Sequence, residues 1–374
     1  MIKFISSELK AAVKKMKGFS GETYVLTCFK GEDKDGKFRA ELDASNGVAQ
    51  AMVALSYEAS EAIELRLVVG TEFAGVIDTL SAFGDVIELE VRNDTVSVSC
   101  GTASLSIPMQ KEEVCMTIDD FKKDTVRMTI EREALLSLIT QGGFAFSDSP
   151  ERPSLYQTVY LLPEANGEER TLRASSSNGF IIATATAQCD VKTDDVFTEW
   201  ATAGKGALVK VNSLLSLVRR LIEDRVIMYI SNNQLLIRDG NDVYCFVCIN
   251  DRMPMKFIEV VTQRGELEYN FSVAKSELKA AVNVSGLFNK DGKIKLKRKE
   301  DGGLTISNES GDGAATVETV GDGAVERSLN LLYLVKTMDS LLGDEIRMSG
   351  SKGGAGMYFS STDGTADALI MPIA

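Results

Sequence analysis

The chain has 374 residues, 44% of them hydrophobic and 25% charged, and its 41 basic against 54 acidic side chains leave a net charge of −13. This length exceeds one ordinary core and implies two or three domains, while the negative balance excludes a protein that coats nucleic acid or anionic lipid over its whole surface. Histidine is absent, which removes Ser-His-Asp and Cys-His machinery, HExxH zinc sites and the commonest general base near neutral pH, and with them most hydrolase chemistry. No apolar run approaches the ~18 residues that span a bilayer. Met1-Ile2-Lys3-Phe4 is not the start of a secretory signal, so a cytoplasmic address, no membrane partner and six reduced cysteines are expected.

In chain order, an alternating strand at Ile2 to Ile5 leads into Ser7-Glu8-Leu9-Lys10-Ala11-Ala12-Val13, where Leu9, Ala12, Val13 and Met16 share one helical stripe. Phe73, Val76, Ile77 and Leu80 then fall at i, i+3, i+4, i+7, followed by Asp85 and a strand from Val86 to Val91. The pair recurs: Met128 to Ile130 precedes a helix through Glu133, Leu135, Leu138 and Ile139, and Leu214, Leu217, Val218 and Leu221 precede Asp224 and a strand from Val226 to Ile230. It recurs again, with Tyr269 to Val273 before Ser276-Glu277-Leu278-Lys279-Ala280-Ala281-Val282, a letter-for-letter copy of the first helix. Leu331, Leu334, Val335 and Met338 then precede Asp344 and a strand from Ile346 to Met348.

The spacing therefore predicts an α+β module, tripled, each copy with two helices, polar caps at the helix starts and several short antiparallel strands. The expected domains are 1–118, 126–260 and 266–374. Their boundaries fall in the aperiodic polar stretches Lys111 to Thr125 and Val261 to Glu268, and Gly311-Asp312-Gly313, Gly321-Asp322-Gly323 and Gly353-Gly354 read as hairpin turns.

Positive charge is segregated. Residues 1–18 carry five lysines against Glu8, and residues 274–299 carry eight basic groups, Lys275 and Lys279 among them, against Glu277 and Asp291. Lys10, Lys14 and Lys17 share a face beside the apolar stripe; Arg219 and Arg220 oppose the leucine stripe from Leu214, with Lys336 in the equivalent outer place on the last helix. Two readings stand: solvated faces that keep the protein soluble, or a shared basic surface offered to phosphates.

Several segments resemble, in order along the whole chain, those of one family, the bacterial DNA polymerase III β subunit or replication sliding clamp. Gly143-Phe144-Ala145-Phe146-Ser147 and Glu151-Arg152-Pro153-Ser154-Leu155 are similar to its Phe-Ala-Val-Ser and Arg-Pro-x-Leu stretches. Asn178-Gly179-Phe180-Ile181-Ile182-Ala183 resembles its Asp-Gly-His-Arg-Leu-Ala, Asp251-Arg252-Met253-Pro254 its Gly-Arg-Phe-Pro, and Leu369-Ile370-Met371-Pro372-Ile373 its Val-Val-Met-Pro-Met. The resemblance implies tandem DNA-clamp domains, a head-to-tail homodimeric ring of six such domains with helices lining the hole, and a non-catalytic role. The ring encloses duplex DNA without reading sequence, and tethers the replicative polymerase and the clamp loader through short peptides; no cofactor or metal is implied.

Geometry agrees that one chain does not close alone. Six helices ~9 Å apart give a circumference of ~54 Å and a radius of ~9 Å, leaving a bore radius of ~4 Å. Twelve give a bore radius of ~12 Å by the same arithmetic, which admits a duplex.

Carried over by position, the peptide pocket comprises Leu155, Ser177, Gly179, Phe180, Ile182, Pro254, Leu369, Met371, Pro372 and Ile373, with ordinary core as the alternative for the apolar members; the DNA-facing cations are the eight named above. Leu105 and Ile107 on one edge strand and Leu287 and Phe288 near the last domain's first helix are candidate dimer contacts. Three departures stand out: Phe180-Ile181 in place of a basic or polar pair, Ala374 in place of a terminal arginine, and Glu22-Thr23-Tyr24 in place of an Arg-Pro element. They point to a divergent clamp or paralogue with altered partner preference. The rival readings are a metal-dependent nucleic-acid enzyme and a scaffold that binds only proteins. Cys245-Phe246-Val247-Cys248 sits on an alternating strand, where i and i+3 face opposite ways and do not share a metal. Lys293, Lys295, Lys297 and Lys299 share one strand face and either guard an edge or face solvent.

Overall fold

The computed structural model describes residues 1–374 except 20, 22, 33–35, 112–124, 193, 252, 288–291, 301, 309, 311–312, 352–355 and 374. The chain packs into two compact units, Met1–Arg127 with Arg220–Cys248, and Met128–Arg219 with Ile249–Ala374.

In the first unit, strand Ile2–Ile5 runs directly into helix α1 (Ser6–Lys15), and strand Leu65–Gly70 is followed by α2 (Glu72–Leu80), which packs on α1. Leu9, Ala12 and Val13 of α1, Met16 just after it, and Phe73, Ile77 and Leu80 of α2 are buried, each large side chain contributing about 1.5–3 kcal/mol. One antiparallel sheet has the order Ile2–Ile5, Val86–Arg92, Thr95–Cys100, Ala103–Pro108. The other runs Leu65–Gly70, Thr23–Glu32, Phe38–Ser45, Ala49–Tyr57, Asp242–Val247, Gln234–Asp239, Arg225–Ile230. Its seam pairs Met52 with Val243 and Ala49 with Phe246.

The second unit holds α3 (Arg132–Gly143), α4 (Asp194–Thr202), α5 (Val211–Val218), α6 (Met255–Thr262), α7 (Lys275–Gly286) and α8 (Leu331–Ser340). α3 packs with α5, and α7 with α8. The large sheet has the order Ala207–Lys210, Thr158–Asn166, Glu169–Ser177, Ile181–Gln188, Ala366–Ile370, Met357–Ser361, Glu345–Gly350, Tyr269–Ala274, Val320–Asp322. A four-stranded sheet runs Ala314–Glu318, Gly303–Asn308, Lys293–Arg298, Val325–Asn330. Asp190–Val191 pairs with Met128 and Thr129.

The repeat is visible in register. Ile2 faces Leu89 and Ile5 faces Val86, as Phe271 faces Met348 and Ala274 faces Glu345. Ser6 N–H donates to the Asp85 carbonyl at 2.8 Å, and Lys275 N–H donates to the Asp344 carbonyl at 2.7 Å. No side chain caps α1, α3, α5 or α7, whose starts follow Ile5, Glu131, Lys210 and Ala274, whereas at α8 the Asn330 side chain accepts from Tyr333 N–H. Strands Ile2–Ile5, Val126–Glu131, Ala207–Lys210 and Tyr269–Ala274 run into α1, α3, α5 and α7 without an intervening turn.

Other expectations meet a different arrangement. Two helices, α4 and α6, add to the two expected per repeat. Val261, expected in a polar linker, is buried on α6, and most of Lys111 to Thr125 lies outside the described residues, as do Gly311-Asp312 and Gly353-Gly354. Gly321-Asp322-Gly323 is not a hairpin turn: Val320–Asp322 runs antiparallel to Tyr269–Ala274, with Gly321 (φ 132°) opposite Phe271. A Cβ on Gly321 would stand 2.4 Å from the Asn270 carbonyl oxygen, so the approach requires glycine. The buried stripe of α8 is Leu334, Met338 and Leu341, one turn later than the spacing suggested.

Lys293–Arg298 is an interior strand, between Gly303–Asn308 and Val325–Asn330, so its lysines face solvent and guard no edge. Lys295 and Lys297 both reach Glu326, at 2.5 and 2.9 Å, and their hydrogen bonds pull its carboxyl down to about 2. A depressed carboxylate contributes stability that is full above its unfolded value of about 4.3 and is lost as pH falls through the folded value. Glu326 is therefore expected to titrate near pH 2 by carbon-detected NMR, moving back toward the ordinary range in Lys295→Met/Lys297→Met; a midpoint near 4.3 in the parent chain would contradict the pairing.

Candidate nucleic-acid interface and peptide pocket

The eight cations expected to face DNA do not present eight unengaged charges. Lys10 on α1 pairs with Asp78 on α2 at 2.9 Å, and Lys279 on α7 pairs with Asp339 on α8 at 2.6 Å. The Lys10 hydrogen bond, helped by its charge and that of Lys14, holds the Asp78 carboxyl below the usual range. Arg220 turns its guanidinium onto the carbonyls of Lys15 and Lys17 and so caps the C-terminal end of α1, a favourable place for a cation at the negative end of the helix dipole. Lys275 donates to the Leu341 carbonyl, and burial pushes its ammonium pKa down. Lys336 lies 6.0 Å from the centre of the Phe146 ring. Lys14, Lys17 and Arg219 remain exposed, with no ion pair among the described residues.

The later register of α8 changes one equivalence. Asp78, Arg219 and Asp339 each follow the middle residue of the buried stripes Phe73-Ile77-Leu80, Leu214-Val218-Leu221 and Leu334-Met338-Leu341. An aspartate, not Lys336, occupies the place of Arg219 on the last helix.

The residues expected to form the peptide pocket lie in the second unit, several of them around the seam where Ile181–Gln188 pairs with Ala366–Ile370. Ser177-Asn178-Gly179 forms the turn into that seam. Ser177 Oγ donates to the Ile181 carbonyl and accepts from Gly179 N–H, and Asn178 Oδ1 accepts from Phe180 and Ile181 N–H at 2.9 Å each. Ser177 is thus a buried turn residue with its hydroxyl engaged, and Gly179 has φ 90°. The same turn exists in the first unit, where Ser45 Oγ accepts from Gly47 N–H and Asn46 Oδ1 accepts from Val48 and Ala49 N–H. Beyond the turns, Met371 N–H donates to the Phe180 carbonyl, as Val247 N–H donates to Val48.

Ile182 and Leu369 are buried with Val261 of α6, and Phe257, Tyr358 and Met371 pack half-buried against that cluster. Leu155 and Phe257 pack in the same way against Tyr160, Leu162, Leu208, Met253 and Ile258. Phe257 therefore joins two apolar clusters, with Leu155 on one side and Met371 on the other. Pro254 is exposed immediately before α6, and Pro372 and Ile373 are half-buried, Ile373 N–H donating to the Ser328 carbonyl at 2.8 Å. Phe180, 47% exposed, stacks on Tyr333 with ring centres 6.1 Å apart, and Arg152 lies 5.8 Å from its ring. Ile181 is buried. The α6 side chains, Tyr333 and Tyr358 had no counterpart in the sequence reading; the i, i+3 spacing of Phe257 and Val260 with Ile258 and Val261 was the available signal.

Of the dimer candidates, Leu105 is 47% exposed on Ala103–Pro108, the outer strand of its sheet, and Leu287 is 74% exposed just after α7. Ile107 is two residues from Leu105 yet buried opposite Val96, so it belongs to the core. Phe288, like Glu22 and Ala374, lies outside the described residues. Among the described residues no group of three acidic, cysteine or histidine side chains could hold a metal, and Cys245 and Cys248 are buried and form no disulfide.

No family model and no curated protein matches the chain. Solved structures do. A DNA polymerase sliding clamp from Pseudomonas aeruginosa matches with a TM-score of 0.84 at 17% identity, over 100% of both chains. A pol III β of Caulobacter crescentus matches with 0.83 at 15%, and a DNA polymerase III β subunit of Thermotoga maritima with 0.79 at 14%, each over 100% of both chains. The chain has the fold of these proteins from end to end.

Proposed function

We propose that this chain is a DNA sliding clamp, a non-catalytic processivity subunit of the kind found in the DNA polymerase III holoenzyme. The observation that carries the reading is the full-length likeness to sliding-clamp structures, at a TM-score of 0.84 with no part of either chain left over. In this reading residues 1–118, 126–260 and 266–374 are the clamp domains. Two copies join head to tail, the exposed edge strand at Leu105 meeting the end of a partner's last domain near Leu287, and the six domains close around duplex DNA in the cytoplasm. Exposed Lys14, Lys17 and Arg219 supply phosphate attraction without base readout, and the net negative remainder repels DNA elsewhere. Tethering a polymerase to such a ring makes its rebinding intramolecular.

Polymerase and clamp loader would bind through short peptides at the pocket around Phe257. Two apolar clusters on either side of that ring favour a peptide with two apolar anchors. Phe180 on Tyr333, in place of a polar pair, favours aromatic or aliphatic neighbours over the partners of a standard clamp. The loader supplies the ATP chemistry, since the chain has no GxxxxGK[ST] loop.

Sedimentation at micromolar concentration is expected to give a particle of twice the 40.6 kDa protomer mass, and Leu105→Asp is expected to shift it toward the protomer. A strictly monomeric parent chain would contradict the ring. Duplex incubated with the protein and magnesium is expected to stay intact; cleavage by the purified chain would favour the nuclease reading.

A further inference from the structure

We infer that Asp78 and Asp339 are positioning residues that hold Lys10 and Lys279 away from DNA phosphate, lowering the grip of the helix-lined surface on the duplex; the inference rests on the clamp reading. The two lysines occupy the same place in the repeated Ser-Glu-Leu-Lys-Ala-Ala-Val helix. Each is bound by an aspartate at the same place on the neighbouring helix, at 2.9 Å in one case and 2.6 Å in the other. In the middle repeat both partners change together: Leu136 stands one residue after buried Leu135, as Lys10 follows Leu9, and the aspartate position is Arg219, which is exposed. A lysine is therefore accompanied by an aspartate, and where the lysine is missing the acid has become a cation.

An incidental surface pair would not be expected to recur at matched positions in two repeats whose other surface charges differ: Lys14 and Lys17 have no counterparts in Asn283 and Gly286, four and seven residues after Lys279. Exposed ion pairs are weak, so the restraint is reversible, and a phosphate passing close by can compete for the ammonium. A surface that must move along the backbone gains from this arrangement, because each permanently unpaired cation adds a counterion-release contribution that resists displacement.

The test measures binding of a short linear duplex over a range of salt concentrations. It compares the parent protein, Asp78→Asn/Asp339→Asn, and the same pair combined with Lys10→Met/Lys279→Met. The aspartate variant is expected to bind more tightly at low salt, with a log–log salt slope steeper by up to ~0.9 for each lysine that reaches a phosphate, and both gains are expected to vanish when the lysines are removed. A gain that survives Lys10→Met/Lys279→Met would overturn the assignment, since the aspartates would then act only through general charge. Parent-like binding by the aspartate variant would overturn it too. Absence of duplex binding by every form would overturn the clamp reading itself.

Discussion

Arg298→Met is expected to destabilise the second unit by about 2–4 kcal/mol, a large fraction of a typical domain's margin. Arg298 is buried, and its guanidinium donates to Thr319 Oγ1 at 2.7 Å and to the carbonyls of Gly321 and Gly323, while its charge lies 4.8 Å from the centre of the Phe271 ring. Among the described residues no carboxylate pairs with Arg298; carbonyl dipoles and the ring face carry the charge. Methionine has a similar stem but leaves three acceptors without their donor, and the segment they belong to passes so close to Tyr269 and Phe271 that Gly321 and Gly323 admit no side chain. Arg298→Lys is expected to recover less than half of the loss, because one ammonium cannot span acceptors arranged for a planar fork. Urea unfolding reads the effect as a lowered midpoint at unchanged slope. A midpoint within error of the parent would show that the bonds contribute nothing net.

The second large effect is expected in binding. Met371→Ala should weaken short peptides carrying a leucine and a phenylalanine anchor by roughly 30-fold, about 2 kcal/mol, as truncation of a central apolar contact does. Met371 is half-buried against the same Ile182–Val261–Leu369 cluster as Phe257 and follows the last strand, so its loss should move the unfolding midpoint little. Phe257→Ala removes the ring that joins both clusters; it should abolish detectable peptide binding and also cost about 3 kcal/mol of stability. Titration calorimetry with unfolding curves on the same samples separates the two consequences. Unchanged affinity in Met371→Ala would place the peptide elsewhere.

The elements of the repeat were legible because their signals are periodic. The strand at Ile2–Ile5, the copied helices and the stripes from Phe73 and Leu214 follow directly from i, i+4 and i, i+2 spacing. The misplaced stripe on α8 arose because Leu331, Leu334, Val335 and Met338 also satisfy that spacing, and only packing decides that Leu341 is inside and Leu331 half out. Arg298, between Lys297 and Lys299, drew no expectation from the sequence, because burial of a cation depends on acceptors twenty and more residues away. Among site residues, the turn at Asn178-Gly179 and the tail at Met371 lie on contiguous motifs, whereas Phe257, Tyr333 and Tyr358 reach the proposed pocket from separate elements. The charge pattern showed where the cations lie but not that Lys10, Lys279 and Arg220 are already engaged, since those partners come from other segments.

The central claim is that the protein holds DNA by enclosing it. The direct measurement allows the protein to thread onto a linear duplex, blocks both ends with bulky adducts, and washes in salt high enough to remove phosphate contacts. The account predicts that the protein stays on the blocked duplex through the wash and leaves as soon as a restriction enzyme cuts between the blocks. Loss in high salt whether or not the ends are blocked, or retention after the cut, would contradict it.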